Sequence, residues 1–141
     1  MNPVTPWTNL FNQEIVEALE KQSCKSEKIN SKYNNIISVV KENDELGFVG
    51  SPTKIDKAII DKIVNDKKVP VIAPLGLDEN YQTYNINADT AAGSIAKKIE
   101  ARRLIIMSDV EGVLDNNQKL IPEINSNSIK ELIENEIITG A

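Results

Sequence analysis

The segment YNINADTAAG, residues 84–93, carries the side chains best placed to do chemistry: Asn85 and Asn87 close an extended run, and Asp89 falls in the first turn of a helix. A helix N-terminus offers unbonded N–H groups and partial positive charge, which favour an anionic ligand, and an asparagine at its mouth donates to a carboxylate. Asp89 then has two readings. It is a first-turn acid that stabilises the helix, or it organises cationic side chains around a transferring phosphoryl group. Position alone favours the first without removing the second. The cations Lys97, Lys98, Arg102 and Arg103 suit the negative end of a helix dipole. Contact with a nucleotide or a neighbouring subunit is the alternative for them, and both stay open.

Composition removes other chemistries. The 141 residues include no His, so an imidazole general base, a Ser-His-Asp triad and a mixed Cys/His zinc site are all excluded. The single Cys, Cys24, has no second thiol for an internal disulfide or a metal clamp. The six glycines form neither a Walker A loop nor GxGxxG, and Gly47-Phe48-Val49-Gly50 lacks the basic neighbours of an RNA-clamping loop. With 16 Lys+Arg against 21 Asp+Glu, the formal net charge of -5 argues against a nucleic-acid partner. No apolar run approaches the ~20 residues of a membrane helix, and no charged-then-apolar leader precedes position 15. A soluble chain in a reducing cytoplasm, without nucleic-acid or membrane partners, is the expectation.

The elements that must position these side chains follow from hydrophobic periodicity. Residues 1–11, with two prolines and no period, read as an irregular lead-in, and residues 12–141 as one partial domain. From Asn12, Ile15, Val16 and Leu19 mark an amphipathic helix. The polar stretch at 23–35 reads as a loop, IISVV at 36–40 as a buried strand, and LGFVG at 46–50 as a strand or hairpin arm. Ser51 and Pro52 suit the start of a helix that stops near Asn65. VPVIAPLGL at 69–77 reads as one buried strand, DENYQTYNI as a hairpin, and residues 88–101 as a helix with a stripe of alanines and isoleucines that lets it approach a sheet closely. RRLIIMSDV reads as another buried strand, followed by short strands around VEGVLD and LIPEI. A last helix should start from a capping box of Ser128 and Glu131, with Ile129, Leu132 and Ile133 buried. Alternating strands and helices predict an α/β fold with a mostly parallel sheet flanked by helices.

Four blocks, ELGFVG at 45–50, VPVIAPLG at 69–76, YNINADTAAG at 84–93 and SDVEGVLD at 108–115, occur in an order and spacing that resembles the acetylglutamate kinases of the amino acid kinase family. The resemblance runs from about Asn12 to Thr139. It implies an incomplete amino acid kinase-like fold and ATP-dependent phosphorylation of the side-chain carboxylate of N-acetyl-L-glutamate in arginine synthesis, with Mg²⁺ bridging the phosphates. Asn85 then matches the asparagine that binds the substrate's α-carboxylate, and Asp89 the aspartate that organises the catalytic lysines. Ser108, Asp109, Val110, Glu111, Gly112, Val113 and Leu114 match the nucleotide-binding turn, and Ile137, Ile138 and Thr139 a second nucleotide contact. Phosphoryl transfer between two anions needs positioning and charge neutralisation, which a chain without histidine can supply.

The same resemblance places outside this chain the family's N-terminal glycine-rich and lysine segment and its later Gly-Gly-Met and lysine segment. Ser31 and Tyr33 stand at the glycine and aspartate positions of a family turn. The chain alone is therefore expected to be a central portion with negligible kinase activity, and the full-length family protein leaves room for a homo-oligomer. The alternatives are a noncatalytic nucleotide-binding or assembly module of the same fold, and a carrier-linked aminoadipate kinase.

Overall fold

A computed structural model describes residues 5–31, 34–135 and 137. The chain divides into two compact units, Met1–Leu104 and Ile105–Ala141. The first opens with α1 (Thr5–Lys21), which starts well before Asn12, so residues 5–11 are helical where the sequence suggested an irregular lead-in. Pro6 is tolerated because the first turn has no intrahelical N–H bond to lose. Asn12 and Val16, one turn apart, form the buried face, and Asn12 Nδ2 donates to the Val71 carbonyl at 2.9 Å.

β1 (Ser26–Ile29) and β4 (Val69–Ile72) pair in parallel, Ser26 opposite Val69 and Ile29 opposite Ile72. The SEKI sequence hides this strand among charges, yet each charge has an outlet: Lys68 Nζ donates to Glu27 at 2.7 Å, and Lys28 Nζ to Gln13 at 2.9 Å. Only Ile29 of β1 is buried, at 1% exposure.

The second sheet has the order β3-β2-β5-β6, from β2 (Ile37–Lys41), β3 (Gly50–Ile55), β5 (Leu75–Leu77) and β6 (Thr83–Asn85). β2 runs parallel to β5, and antiparallel arms flank them, β3 on β2 and β6 on β5. Ser51 and Pro52 lie inside β3 and do not start a helix, because proline is accommodated on an edge strand. Asp56 caps α2 (Lys57–Asn65) instead, accepting from the Ala58 N–H at 3.0 Å. The helix ends where expected, with Asp66 as its C-cap. The 69–77 run is two strands, broken at Ala73-Pro74 where proline has no N–H to continue a ladder, so its halves belong to different sheets. The hairpin expected within 78–86 has only its second arm, β6, in that run; its first arm is β5, and the loop between them is held by Asp78 Oδ1 accepting from the Asn80 and Gln82 N–H groups.

α3 (Ala88–Lys98) follows directly from β6. The core of this unit gathers Ile29, Ile36, Ile37, Val39, Ile55, Ile60, Ile63, Tyr84, Ile86 and Ala91. Fully burying an isoleucine contributes about 1.5–3 kcal/mol, which makes this cluster the main source of the unit's stability.

In the second unit, residues 105–109 form no strand, and Ile105, Ile106 and Met107 are exposed at 74%, 53% and 94%. The expected buried strand has no paired neighbour among the described residues, and an apolar run without one does not become a strand. Leu114 and Leu120 form one antiparallel bridge around a turn closed by Asp115. α4 (Ser126–Glu134) is capped by Asn125, with Ser128 completing the capping box at the third helical position. Ser128 therefore answers the cap and does not start it. Ile129 and Ile133 are exposed, contrary to the expected buried face.

Candidate functional site around Asn85 and Asp89

The YNINAD segment passes from strand to helix within a few residues, and each residue has a distinct job. Tyr84 and Ile86 point into the core, at 8% and 1% exposure. Strand alternation turns Asn85, between them, to the other face, where it is half-buried. Asn87 is the N-cap of α3, its Oδ1 accepting from the Thr90 N–H at 3.1 Å and the Thr90 hydroxyl at 3.3 Å. Its carbonyl accepts the first helical bond, from the Ala91 N–H at 2.9 Å. Asp89 occupies the first turn and is exposed, beside the positive end of the helix dipole. Asn85 and Asp89 are thus brought to one strand–helix junction.

Two glycines of the apolar blocks make the junction possible. A Cβ on Gly76 would stand 2.4 Å from Val39 Cγ1 and 2.9 Å from the Ile37 carbonyl, so β5 lies against β2 only with glycine there. A Cβ on Gly50 would stand 3.0 Å from Tyr84 Cβ and 3.1 Å from Val39 Cβ. Both serve strand packing behind the site. The Asn85 N–H donates to the Phe48 carbonyl at 2.8 Å, and the Ile86 N–H to the Pro74 carbonyl at 2.9 Å. This grip on Asn85 was invisible in the sequence, since its partners lie in other blocks; the only hint was a glycine at the end of each block.

The loop leading to Phe48 is fastened as well. Lys41 Nζ bonds Asp44 at 2.6 Å, and that hydrogen bond raises the lysine pKa above its ordinary 10.5 and lowers the aspartate below its ordinary 3.8. The stripe of α3 meets the sheet in part: α3 packs on β3, and Ala91 is buried in the core with Ile95 and Ile99 packed against it. Ala91, Ala92, Ile95 and Ile99 face Pro70, Ile72 and Pro74 across an apolar groove of about 340 Å³.

The expected nucleotide turn, Ser108 to Leu114, lies in the second unit and is exposed from Ser108 to Val113, with Leu114 half-buried. Ser108 Oγ accepts from the Val110 N–H at 3.4 Å. Gly112 has φ +145°, in the region that favours glycine, and a Cβ there would stand 2.9 Å from Leu120 Cδ1. Ile137 is half-buried, its N–H donating to the Leu132 carbonyl at 2.9 Å, while Ile138 and Thr139 lie outside the described residues. Among the described residues no three His, Cys, Asp or Glu side chains converge as a metal site. No helix of the described residues is long and apolar enough to cross a membrane.

The family model for the amino acid kinase family matches residues 6–141. The chain belongs to the amino acid kinase family. Within that family it is similar to the acetylglutamate kinase of Pelagibacter ubique, 63% identical over 130 residues that cover 92% of this chain and 45% of that protein. It is also similar to the acetylglutamate kinase of Campylobacter fetus, at 42% identity over 134 residues, covering 94% and 48%. This amino acid kinase chain therefore spans about half the length of the curated relatives it matches. A solved structure, the smu.665 protein from Streptococcus mutans UA159, aligns with a TM-score of 0.81 at 29% identity, over 92% of this chain and 53% of that one. The N-acetylglutamate synthase from Neisseria gonorrhoeae shares the fold at a TM-score of 0.72 and 18% identity, over 91% of this chain and 31% of its own. The α/β amino acid kinase-like fold and the resemblance to acetylglutamate kinases, both expected from the four blocks, are borne out.

Proposed function

We propose that this chain supplies the substrate-binding junction and the nucleotide turn of an acetylglutamate kinase, which transfers a phosphoryl group from ATP to the side-chain carboxylate of N-acetyl-L-glutamate. The observation that carries the reading is the joining of Asn85 and Asp89 at the mouth of α3. It is supported by 63% identity to a protein of that name.

In this reading the Asn85 amide donates to the substrate's α-carboxylate, and the α3 N-terminus adds favourable partial charge for an anion. Asp89 orients the cations that neutralise charge on the transferring phosphoryl group; it takes no proton and forms no bond. Positioning and electrostatics then provide the acceleration, since the carboxylate acceptor is already ionised at neutral pH. The segment from Ser108 to Leu114 fits a nucleotide because it is an exposed glycine-containing turn. Mg²⁺, when bound, neutralises and orients the phosphates. Removing one preorganised charge-stabilising group typically costs ~10²- to 10³-fold in rate, the scale on which loss of the orienting role of Asp89 should register.

An amide-resolved NMR titration tests the reading. N-acetyl-L-glutamate should shift the Asn85 side-chain resonances, and MgATP those of Ser108 to Leu114. Asn85→Ala should abolish the first response and spare the second. Shifts confined to other segments, or none with either ligand, would sink it.

A further inference from the structure

In the order β3-β2-β5-β6, β3 and β6 are opposite edges of one sheet. Yet Val49, the residue before β3, bridges Asn85 of β6 in parallel, and the Phe48 carbonyl accepts the Asn85 N–H at 2.8 Å. The sheet closes on itself at this corner. Asn85 is gripped from both sides, by Phe48 and Val49 on one and by its pairing with Leu75 on the other.

The corner depends on Gly47. Its φ of +65° is left-handed, and nothing lies within 4 Å of where its Cβ would stand. Backbone conformation, and not space, therefore requires glycine here. The neighbouring contacts hold the turn from several sides: Asn43 Oδ1 accepts the Leu46 N–H at 2.7 Å, and the Phe48 ring rests against Tyr84 with centroids 6.0 Å apart.

We propose that the Gly47–Val49 corner is a positioning device for Asn85. The left-handed turn at Gly47 directs the Phe48 carbonyl onto the Asn85 N–H, and this fixes where the Asn85 side chain meets an amino-acid carboxylate. The inference rests on the reading of Asn85 as a carboxylate ligand. The corner itself touches no substrate and acts through Asn85.

The test uses Gly47→Ala and Gly47→Asn in the full chain. With no atom obstructing a Cβ, both variants fold, but alanine carries a left-handed penalty that asparagine largely escapes. Amide hydrogen exchange at Asn85 should quicken roughly 5- to 30-fold in Gly47→Ala, the factor corresponding to that penalty. It should stay near wild type in Gly47→Asn and be unchanged in both at Ala73, whose N–H bonds Ile29 in the other sheet. Affinity for N-acetyl-L-glutamate, read by NMR titration, should fall in the same order while affinity for MgATP holds. Exchange at Asn85 that is equal in all three proteins overturns the grip. Faster exchange with unchanged acetylglutamate affinity reduces the corner to a structural contact and overturns positioning. A wild-type chain that does not bind acetylglutamate while its Asn85 amide is protected overturns the reading of Asn85, and positioning falls with it.

Discussion

Asn85 is held by Phe48 and Leu75, from other blocks of the sequence, whereas the turn after Asp109 is held by its own neighbours. Asp115 accepts from Asn117 and Lys119, Ser108 from Val110, and the Ile121 N–H donates to Val113. The first region is surrounded by a core in which Ile37 is wholly buried; the second exposes Ile105, Ile106 and Met107. Long-range pairing fixes a side chain through many weak constraints at once, so its geometry fails cooperatively. A locally bonded turn keeps its shape independently of distant packing and loses it residue by residue.

The largest expected effect tests that contrast in stability. Ile37→Ala should lose about 2–5 kcal/mol because it empties a sealed site. Ile106→Ala, at an exposed position, should stay within ~0.5 kcal/mol. Urea unfolding followed by circular dichroism measures both, and equal losses would erase the distinction between the two regions.

A smaller effect sharpens it at the helix starts. Asn87→Ala and Asn125→Ala each remove a cap and should each cost about 1 kcal/mol, with serine at either position recovering most of it. Amide exchange separates the two: Asn87→Ala should loosen the first turn of α3 around Asp89, and Asn125→Ala only that of α4. Loosening at Asp89 from the Asn125 change would contradict local control.

The smallest effect is electrostatic. The raised pKa values of Lys41 and Lys68 come first from their hydrogen bonds to Asp44 and Glu27. Their contribution is complete below the ordinary lysine value of 10.5 and is lost as pH rises through the raised values. The Asp44 pKa is lowered, so its contribution is complete above 3.8 and is lost as pH falls through the lowered value. The Lys41–Asp44 pair is exposed and the Lys68–Glu27 pair half-buried at the surface, so the losses are slight and screened by salt. Lys68→Gln should flatten the alkaline limb of a stability–pH curve. An unchanged alkaline limb would remove Lys68–Glu27 from the account.

Local signals served well where the partner of each residue lay nearby. The strand at 37–41, the end of α2, the second arm of the hairpin and α3 lie close to where periodicity and turn residues put them. Misplacements occurred where two local codes competed. Ser51-Pro52 satisfies a helix start and an edge strand equally, and only the pairing of Val39 with Pro52 decided between them. SEKI hid a strand because its charges are answered from Gln13 and Lys68, far along the chain. RRLIIMSDV reads as a strand by composition, but a strand exists only with a neighbour.

For the site, residue order alone determined that Asn85, Asn87 and Asp89 follow one another across a strand–helix junction, because adjacency in a chain cannot be undone by folding. Only the tertiary structure decided that Phe48 grips Asn85, that Gly50 and Gly76 yield their space to Tyr84 and Val39, and that Gly47 turns left-handed to close the corner. Such contacts arise when the sheet brings distant backbones within hydrogen-bond reach, and no residue type or spacing records which backbone will arrive.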